Sequence, residues 1–452
     1  MAPPDKLPNH APATSHNLPR APIDRWLRPV ARFFKIEAAS GIVLVACTIA
    51  ALVLTNSAWG HQFEAFWETP LVIAIGNFEL KHSLVEWIND GLMVIFFFVV
   101  GLEIKWELVA GELTDPRKAA LPAVAALGGM VAPAAIYLLI EASEPARTGW
   151  GVPVATDIAF VVGCMVLLGP RVPPGVKILL LTLAIVDDIG AVLVIAIFYA
   201  GNISLAALAL AAMGFGVVYL FNRIGVRSIA IYVLLGIGIW LAFHKAGVHP
   251  TVAGVILGLM APTRALVDRA QLKAAAYQPL HPEEGGHVAE LDHKQLLQLA
   301  WAAKESIPPL ERIEDALQPW VLFAIMPLFA LANAGVRLEA AAMTSSVALA
   351  VVAGLVVGKP LGIVLFSLGA VKLGWARMPS GVNWNTMIGA GCLGGIGFTM
   401  SLFIAGLAFQ GEPFELEAGK VGTLVGSAIS AVVGSTWLIV AARKAKRMPA
   451  KK

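Results

Sequence analysis

Charge is what this sequence has least of. Lys, Arg, Asp and Glu make up 14% of its 452 residues, where a soluble domain carries about a quarter. Hydrophobic residues make up 58%, and they are not dispersed as two or three soluble domains would have them. They fall in blocks of roughly 18 or more residues, the length that crosses a bilayer core. The blocks recur to the C-terminus, which excludes a soluble domain on a single anchor and points to a polytopic membrane protein.

Cysteine is nearly as scarce. Cys47, Cys164 and Cys392 all lie in apolar blocks. Their number is odd, no Cys-x-x-Cys occurs and no His stands at a metal-ligand spacing, so they read as packing residues and not as a disulfide frame or metal site. The net charge of +3 comes from scattered basic residues, and the lack of a basic stripe excludes a nucleic-acid partner. A cleavable signal peptide is not expected either. The polar, basic segment 1–36 leads into Ala38–Leu54 with no convincing Ala-x-Ala site behind it, so this block is expected to stay as the first span.

Hydropathy predicts twelve spans: 37–56, 86–107, 118–140, 151–169, 176–200, 204–221, 229–243, 249–262, 316–334, 343–371, 385–409 and 420–442. With the N-terminus in the cytoplasm, 26 of the 33 Lys and Arg fall inside and five outside, a strong orientation signal that also favours an even number of spans. The expected organisation is a basic cytoplasmic segment 1–36, a transmembrane domain 37–442 and a basic cytoplasmic tail 443–452. Two loops are long. Segment 57–85 contains the β-compatible stretch Leu71–Leu80. Cytoplasmic segment 263–315 contains His281, His287 and His293 and reads as a solvated, mobile linker, with a pH- or partner-sensing element as the alternative.

An ionisable side chain at bilayer depth costs at least about 2.5–3.5 kcal/mol, so it normally has a partner or lines a water-filled path. Asp187 and Asp188 interrupt the apolar run Ile178–Ile197. Adjacent carboxylates repel, and either a proton or a small hard cation relieves the repulsion. A pair that holds protons or an alkali cation, but not comfortably both, is the physical basis of exchange. The bland alternative is a structural pair satisfied by Lys359 and backbone groups, and the cost of two acids at mid-membrane weighs against it. Lys359, in Gly358-Lys359-Pro360, sits too far inside its span to snorkel, and the Asp pair is its obvious partner.

Other charged or broken segments leave two readings open. Pro153 precedes Ala155-Thr156-Asp157-Ile158, and a proline frees backbone groups that must be satisfied again in a membrane. This is either a discontinuous helix, with Asp157 neutralising half-helix ends and Thr156 adding a hydroxyl ligand, or a plain proline kink with a hydrogen-bonded Asp. Gly394-Gly395-Ile396-Gly397 either mirrors that break or, the better reading of glycine alone, serves ordinary small-residue packing. Glu103 and Glu107 share a helix face and form either an interfacial charge cluster or an access funnel responsive to pH; Asp90 and Lys105 lie on the same span. His249, near the outer surface, is the kind of lone histidine that more often packs or hydrogen-bonds than senses pH.

Eight motifs occur in order between about residues 35 and 440: Asn89-Asp90-Gly91-Leu92-Met93, Val100-Gly101-Leu102-Glu103, Ala155-Thr156-Asp157-Ile158-Ala159-Phe160, Ala184-Ile185-Val186-Asp187-Asp188-Ile189-Gly190, Gly247-Val248-His249, Ala332-Asn333-Ala334-Gly335-Val336, Gly358-Lys359-Pro360-Leu361-Gly362 and Gly395-Ile396-Gly397-Phe398-Thr399-Met400-Ser401. Together they resemble the bacterial NhaA-type sodium/proton antiporters. The resemblance implies an all-α fold of twelve transmembrane helices with inverted repeats and two discontinuous helices, the fourth and eleventh, crossing at mid-membrane. It implies that Asp187 and Asp188 bind the cation and the protons, that Thr156 lies beside them, and that Asp157 and Lys359 balance the half-helix ends, Lys359 also pairing with Asp187. It makes Glu103, Glu107 and His249 pH-response residues. It further implies electrogenic exchange of Na⁺ or Li⁺ for H⁺ with no cofactor, a multi-pass place in the bacterial inner membrane among its lipids, and a homodimer with the 57–85 loop at its interface. Three features depart from the family pattern: Trp106 where an Arg is common, Asp315 and Gln318 where His can stand, and an expanded 263–315 loop. They bear on pH sensing and not on exchange chemistry.

Two rivals remain. An intramembrane aspartyl protease needs its acids on separate spans and no buried Lys, and a proton-coupled symporter of organic solutes needs a larger polar cavity. The expectation is therefore a transporter and not an enzyme.

Overall fold

The structure, a computed structural model, describes residues 37–76, 78–226, 228–268, 270–273 and 293–447. Segment 1–36, His281 and His287 of the long loop and the last tail residues, 448–452, lie outside them. The chain starts with α1 (Glu37–Thr55) and α2 (Gly60–Trp67), then the strands β1 (Pro70–Ile75) and β2 (Phe78–Ser83). These pair antiparallel, from Pro70 opposite Ser83 to Ile75 opposite Phe78, with Gly76 at φ +60° in the turn. The β-compatible stretch is thus a hairpin, and a positive φ is where glycine costs least.

Helices make up the rest. A π-helical turn, Trp87–Leu92, runs into α3 (Met93–Val109), and α4 (Pro116–Ile140) follows. A 3₁₀ segment, Ala146–Val154, precedes α5 (Ile158–Leu168), α6 (Pro174–Phe198), α7 (Leu205–Ile224), α8 (Ile229–Ala246) and α9 (Thr251–Leu259). Next come α10 (His293–Glu305), α11 (Pro309–Trp320), a π turn and α12 (Met326–Asn333). The last are α13 (Ser346–Ala353), a π turn Gly354–Gly358, α14 (Lys359–Lys372), α15 (Trp384–Gly394), α16 (Phe398–Ala408) and α17 (Pro413–Arg447).

Among the described residues seven helices are long and apolar enough to cross a membrane, or ten if each bent pair is one crossing. That makes an all-α polytopic membrane protein. Two of the twelve expected spans fall outside this set. Span 86–107 contains the π turn and the charges Asp90, Glu103, Lys105 and Glu107, and span 249–262 contains only the nine-residue α9. The expectation of a linker over all of 263–315 also needs correction, because α10 forms within it and α11 starts at Pro309. Leu296, Leu297, Leu299 and Trp301 stand at helical spacing there, a signal that the polar composition of the loop masked.

Two backbone approaches set the frame for the buried charges. A Cβ on Gly128 of α4 would meet the Gly362 carbonyl oxygen of α14 at 2.3 Å, and one on Gly362 would meet that of Gly128 at 2.0 Å. The helices touch backbone to backbone, the usual role of small residues between membrane helices. That contact carries α14, which begins with Lys359, into the interior. Gly101 of α3 and Gly258 of α9 do the same: their would-be Cβ atoms meet the Val255 and Phe98 carbonyl oxygens at 2.5 and 2.4 Å.

Candidate functional site

Two helix breaks meet. The 3₁₀ segment Ala146–Val154 and α5 are bent by 41° at residues 155–157, and α15 and α16 by 45° at 395–397. Each break satisfies the other's freed backbone groups. The Asp157 N–H donates to the Ile396 carbonyl (2.7 Å), the Thr156 hydroxyl lies 2.9 Å from the Gly394 carbonyl oxygen, and the Ser401 hydroxyl donates to the Val152 carbonyl (2.6 Å). Irregular backbone at membrane depth persists only where it is buried in protein and paired in this way.

Asp157 is the N-cap of α5. Its Oδ1 accepts from the Phe160 N–H at 3.0 Å, and its Oδ2 accepts from the Thr399 N–H at 3.0 Å and from the Thr399 hydroxyl. One carboxylate therefore caps two helix N-termini, where backbone donors and partial positive charge concentrate. The chain is thus bent at a break that holds a hydrogen-bonded Asp, and a second break lies at 395–397. Thr399 is a site residue that its motif contained but that sequence reasoning gave no role. Ser427 on α17 is another: α16 has no capping side chain of its own, and Ser427 Oγ accepts from the Gly397 and Phe398 N–H groups at 3.2 and 3.1 Å. No local signal links a serine to a cap 29 residues away. Ser427→Ala is expected to cost about 0.5–2 kcal/mol, the range for a lost N-cap, read as a lower unfolding midpoint in detergent; an unchanged midpoint removes Ser427 from this role.

Asp187 and Asp188 lie in the middle of α6 and are buried with Lys359 and Thr156. Lys359 Nζ pairs with Asp187 Oδ2 and donates to the Thr156 hydroxyl oxygen at 2.7 Å. The Thr156 hydroxyl in turn lies 2.6 Å from Asp187 Oδ2. Its one proton serves either that carboxylate or the Gly394 carbonyl, so the hydroxyl couples the ion pair to the second break. Neighbouring helix positions point about 100° apart, and the two acids differ accordingly. Asp187 faces Lys359. Asp188 lines a cavity of about 400 Å³ that also touches Thr156, Asp157 and Thr399. Asp187 Oδ1 and Asp188 Oδ1 are buried with no hydrogen-bond partner among the described residues. An orphaned buried carboxylate oxygen is costly and is suited to a proton or to a small hard cation.

The same cavity runs from Asp188 to Glu103 and Glu107, passing Trp106, Glu314 and Gln318. Glu107 Oε2 also accepts from the Glu112 N–H at 2.8 Å. Trp106 packs with Leu102, Ala261 and Leu310. Glu314 was missed because it fell in the segment read as a linker; its spacing of four from Gln318 on α11 was the available signal. His249 is not brought to this cavity. Its Nδ1 is 2.7 Å from the Thr251 hydroxyl and its Nε2 is 3.3 Å from Asp90 Oδ1. Asp90, noted in the sequence only as a charge within a span, is thus the partner of this histidine.

The chain matches known proteins along nearly its whole length. A family model described as Na+/H+ antiporter 1 matches residues 31–438. A Rhodopirellula baltica protein named Na(+)/H(+) antiporter NhaA is 52% identical over 428 residues, covering 93% of this chain and 96% of the relative. One of that name from Rhizobium meliloti is 49% identical over 419 residues, covering 92% and 95%. Na(+)/H(+) antiporter NhaA 2 of Sorangium cellulosum is 49% identical over 425 residues, covering 92% and 91%. Both breaks, the Asp pair and Lys359 lie within the matched residues, and the chain belongs to the Na+/H+ antiporter 1 family.

Proposed function

We propose that the chain extrudes Na⁺ or Li⁺ across the bacterial inner membrane in exchange for H⁺, electrogenically and under pH control. Membership of an antiporter family makes it a transporter and not an enzyme. The observation that carries the reading is the pair of unpartnered buried oxygens, Asp187 Oδ1 and Asp188 Oδ1, one acid facing the cavity and the other tied to Lys359. The cation reaches Asp188 through the cavity, and the Thr156 hydroxyl supplies a further oxygen. Protons compete for the same carboxylates. Two acids serving one monovalent ion allow more protons in than cations out, the basis of the electrogenic reading. Asp157 holds the half-helix ends, and Lys359 keeps Asp187 compensated while no cation is bound.

The wider proposal has twelve spans with both termini in the cytoplasm, counting 86–107 and 249–262 as crossings. It relates the two breaks by inverted repeat and puts the β1–β2 hairpin in a homodimer interface. Glu103, Glu107 and Glu314 at the cavity mouth set the pH response, with His249 acting separately through Asp90.

In proteoliposomes, Na⁺ or Li⁺ added without any organic solute is expected to collapse an imposed pH gradient, faster when an ionophore clamps the membrane potential. No collapse sinks the exchange reading, and a rate indifferent to the ionophore sinks the electrogenic one. Competition makes a further prediction: the half-saturating Na⁺ concentration rises by about tenfold for each unit of falling pH in the limit of one proton per site. A half-saturation that does not move with pH puts the two ions on separate sites.

A further inference from the structure

The proposed exchange leaves α10 without a role. Its Leu296 and Ala300, and its Leu297 and Trp301, are i, i+4 pairs on one largely apolar face, which His293 and Lys304 share at the two helix ends. Leu296, Leu297 and Trp301 are 47%, 57% and 54% exposed, and Leu266 and Ile307 beside the ends of the segment are 52% and 42% exposed. The other side is tied down. Ala302 and Glu305 are buried, Glu305 pairs with Arg312 at 3.1 Å, and the Glu305 carbonyl accepts from the Leu266 and Val267 N–H groups at 3.0 and 3.2 Å. An amphipathic helix in a water-soluble protein turns its apolar face inward; α10 turns it outward.

We propose that α10 lies flat in the interfacial layer of the protein's own bilayer, with Leu296, Leu297 and Trp301 at the acyl boundary and Lys294 and Lys304 against anionic headgroups. Two observations favour lipid over a protein partner. Residues 306–308 alone join α10 to α11, whose first turns carry Glu311, Arg312, Glu314 and Asp315 before it runs on into a membrane-crossing stretch; residues 309–315 rise only about 10 Å along the helix, so α10 is held close to the bilayer surface. Trp301 and the exposed Lys294 and Lys304 on one short helix are the composition of an interfacial helix. The helix end is pinned to the segment leaving α9 as well as to the start of α11, so docking steadies α11, the element that carries Glu314 and Gln318 at the cavity mouth.

The inference rests on the chain's crossing a bilayer and not on which ions it moves, and its test reads no transport. The full chain, with Cys47, Cys164 and Cys392 replaced by Ala, receives one nitroxide label through Leu296→Cys, Leu297→Cys or Gln298→Cys. It is reconstituted in vesicles of phosphatidylethanolamine and phosphatidylglycerol. Labels at 296 and 297 are expected to be relaxed more by oxygen than by a water-soluble nickel chelate, and the label at 298 more by nickel. Nickel access at all three positions overturns the proposal. So does protection of 296 and 297 from both reagents, which means a second copy or another protein segment covers the face. Should the labelled variants not reconstitute, the unlabelled chain decides. The fluorescence difference between wild type and Trp301→Phe is expected to be quenched by brominated lipid, and an unquenched difference overturns the proposal.

Discussion

Asp188→Asn is expected to abolish exchange while leaving the chain folded. Asn has the shape of Asp but carries no charge for a hard cation and takes no proton in the accessible range. Asp188 Oδ1 has no partner to lose among the described residues, and the substitution leaves the Asp187–Lys359 pair in place, so the fold is not at risk. Losing the one acid of the pair that faces the cavity removes an interaction on the scale of the cost of a membrane-buried charge, roughly 2.5–3.5 kcal/mol, or about a hundredfold or more in cation binding. The measurement is sodium-induced collapse of a pH gradient in proteoliposomes, with the unfolding midpoint as control. Normal exchange by this variant would falsify the placement of the ion at Asp188.

Lys359→Met is expected to give the largest loss of stability, and a second substitution is expected to restore it. Lys359 and Asp187 are fully buried against each other. Removing one partner leaves a charge with nothing to compensate it, a loss of about 3–5 kcal/mol, whereas replacing both partners is often neutral. The double variant Lys359→Met/Asp187→Asn should therefore unfold close to wild type, although it transports nothing. A double-mutant cycle on unfolding in detergent reads the coupling. If the single variant is as stable as wild type, the pair does not hold the site together.

Much of this was legible before any coordinates. Hydropathy located the long helices, because a span must be apolar over its whole length. Cost located the acids, because Asp187, Asp188 and Lys359 cannot sit at such depth without a reason. What was illegible was pairing between distant segments. Thr399 was visible as a motif residue, but its bonds to Asp157 join positions 242 residues apart. The same holds for Ser427, and for Asp90 under His249. Helix α10 was hidden for another reason: a thirteen-residue amphipathic pattern inside a polar, His-containing segment carries too little apolar weight to stand out by composition.

The sequence by itself determined that this is a polytopic membrane protein with a buried pair of acids and one buried base, since hydrophobic length and the cost of burying charge are local properties that composition and spacing express. Only the tertiary structure decided what each acid faces. Asp187 and Asp188 are neighbours of one type on one helix, and nothing in their order distinguishes them. The difference arises because α14, drawn in by the Gly128–Gly362 contact, delivers Lys359 to Asp187, while the turn of α6 leaves Asp188 facing the cavity.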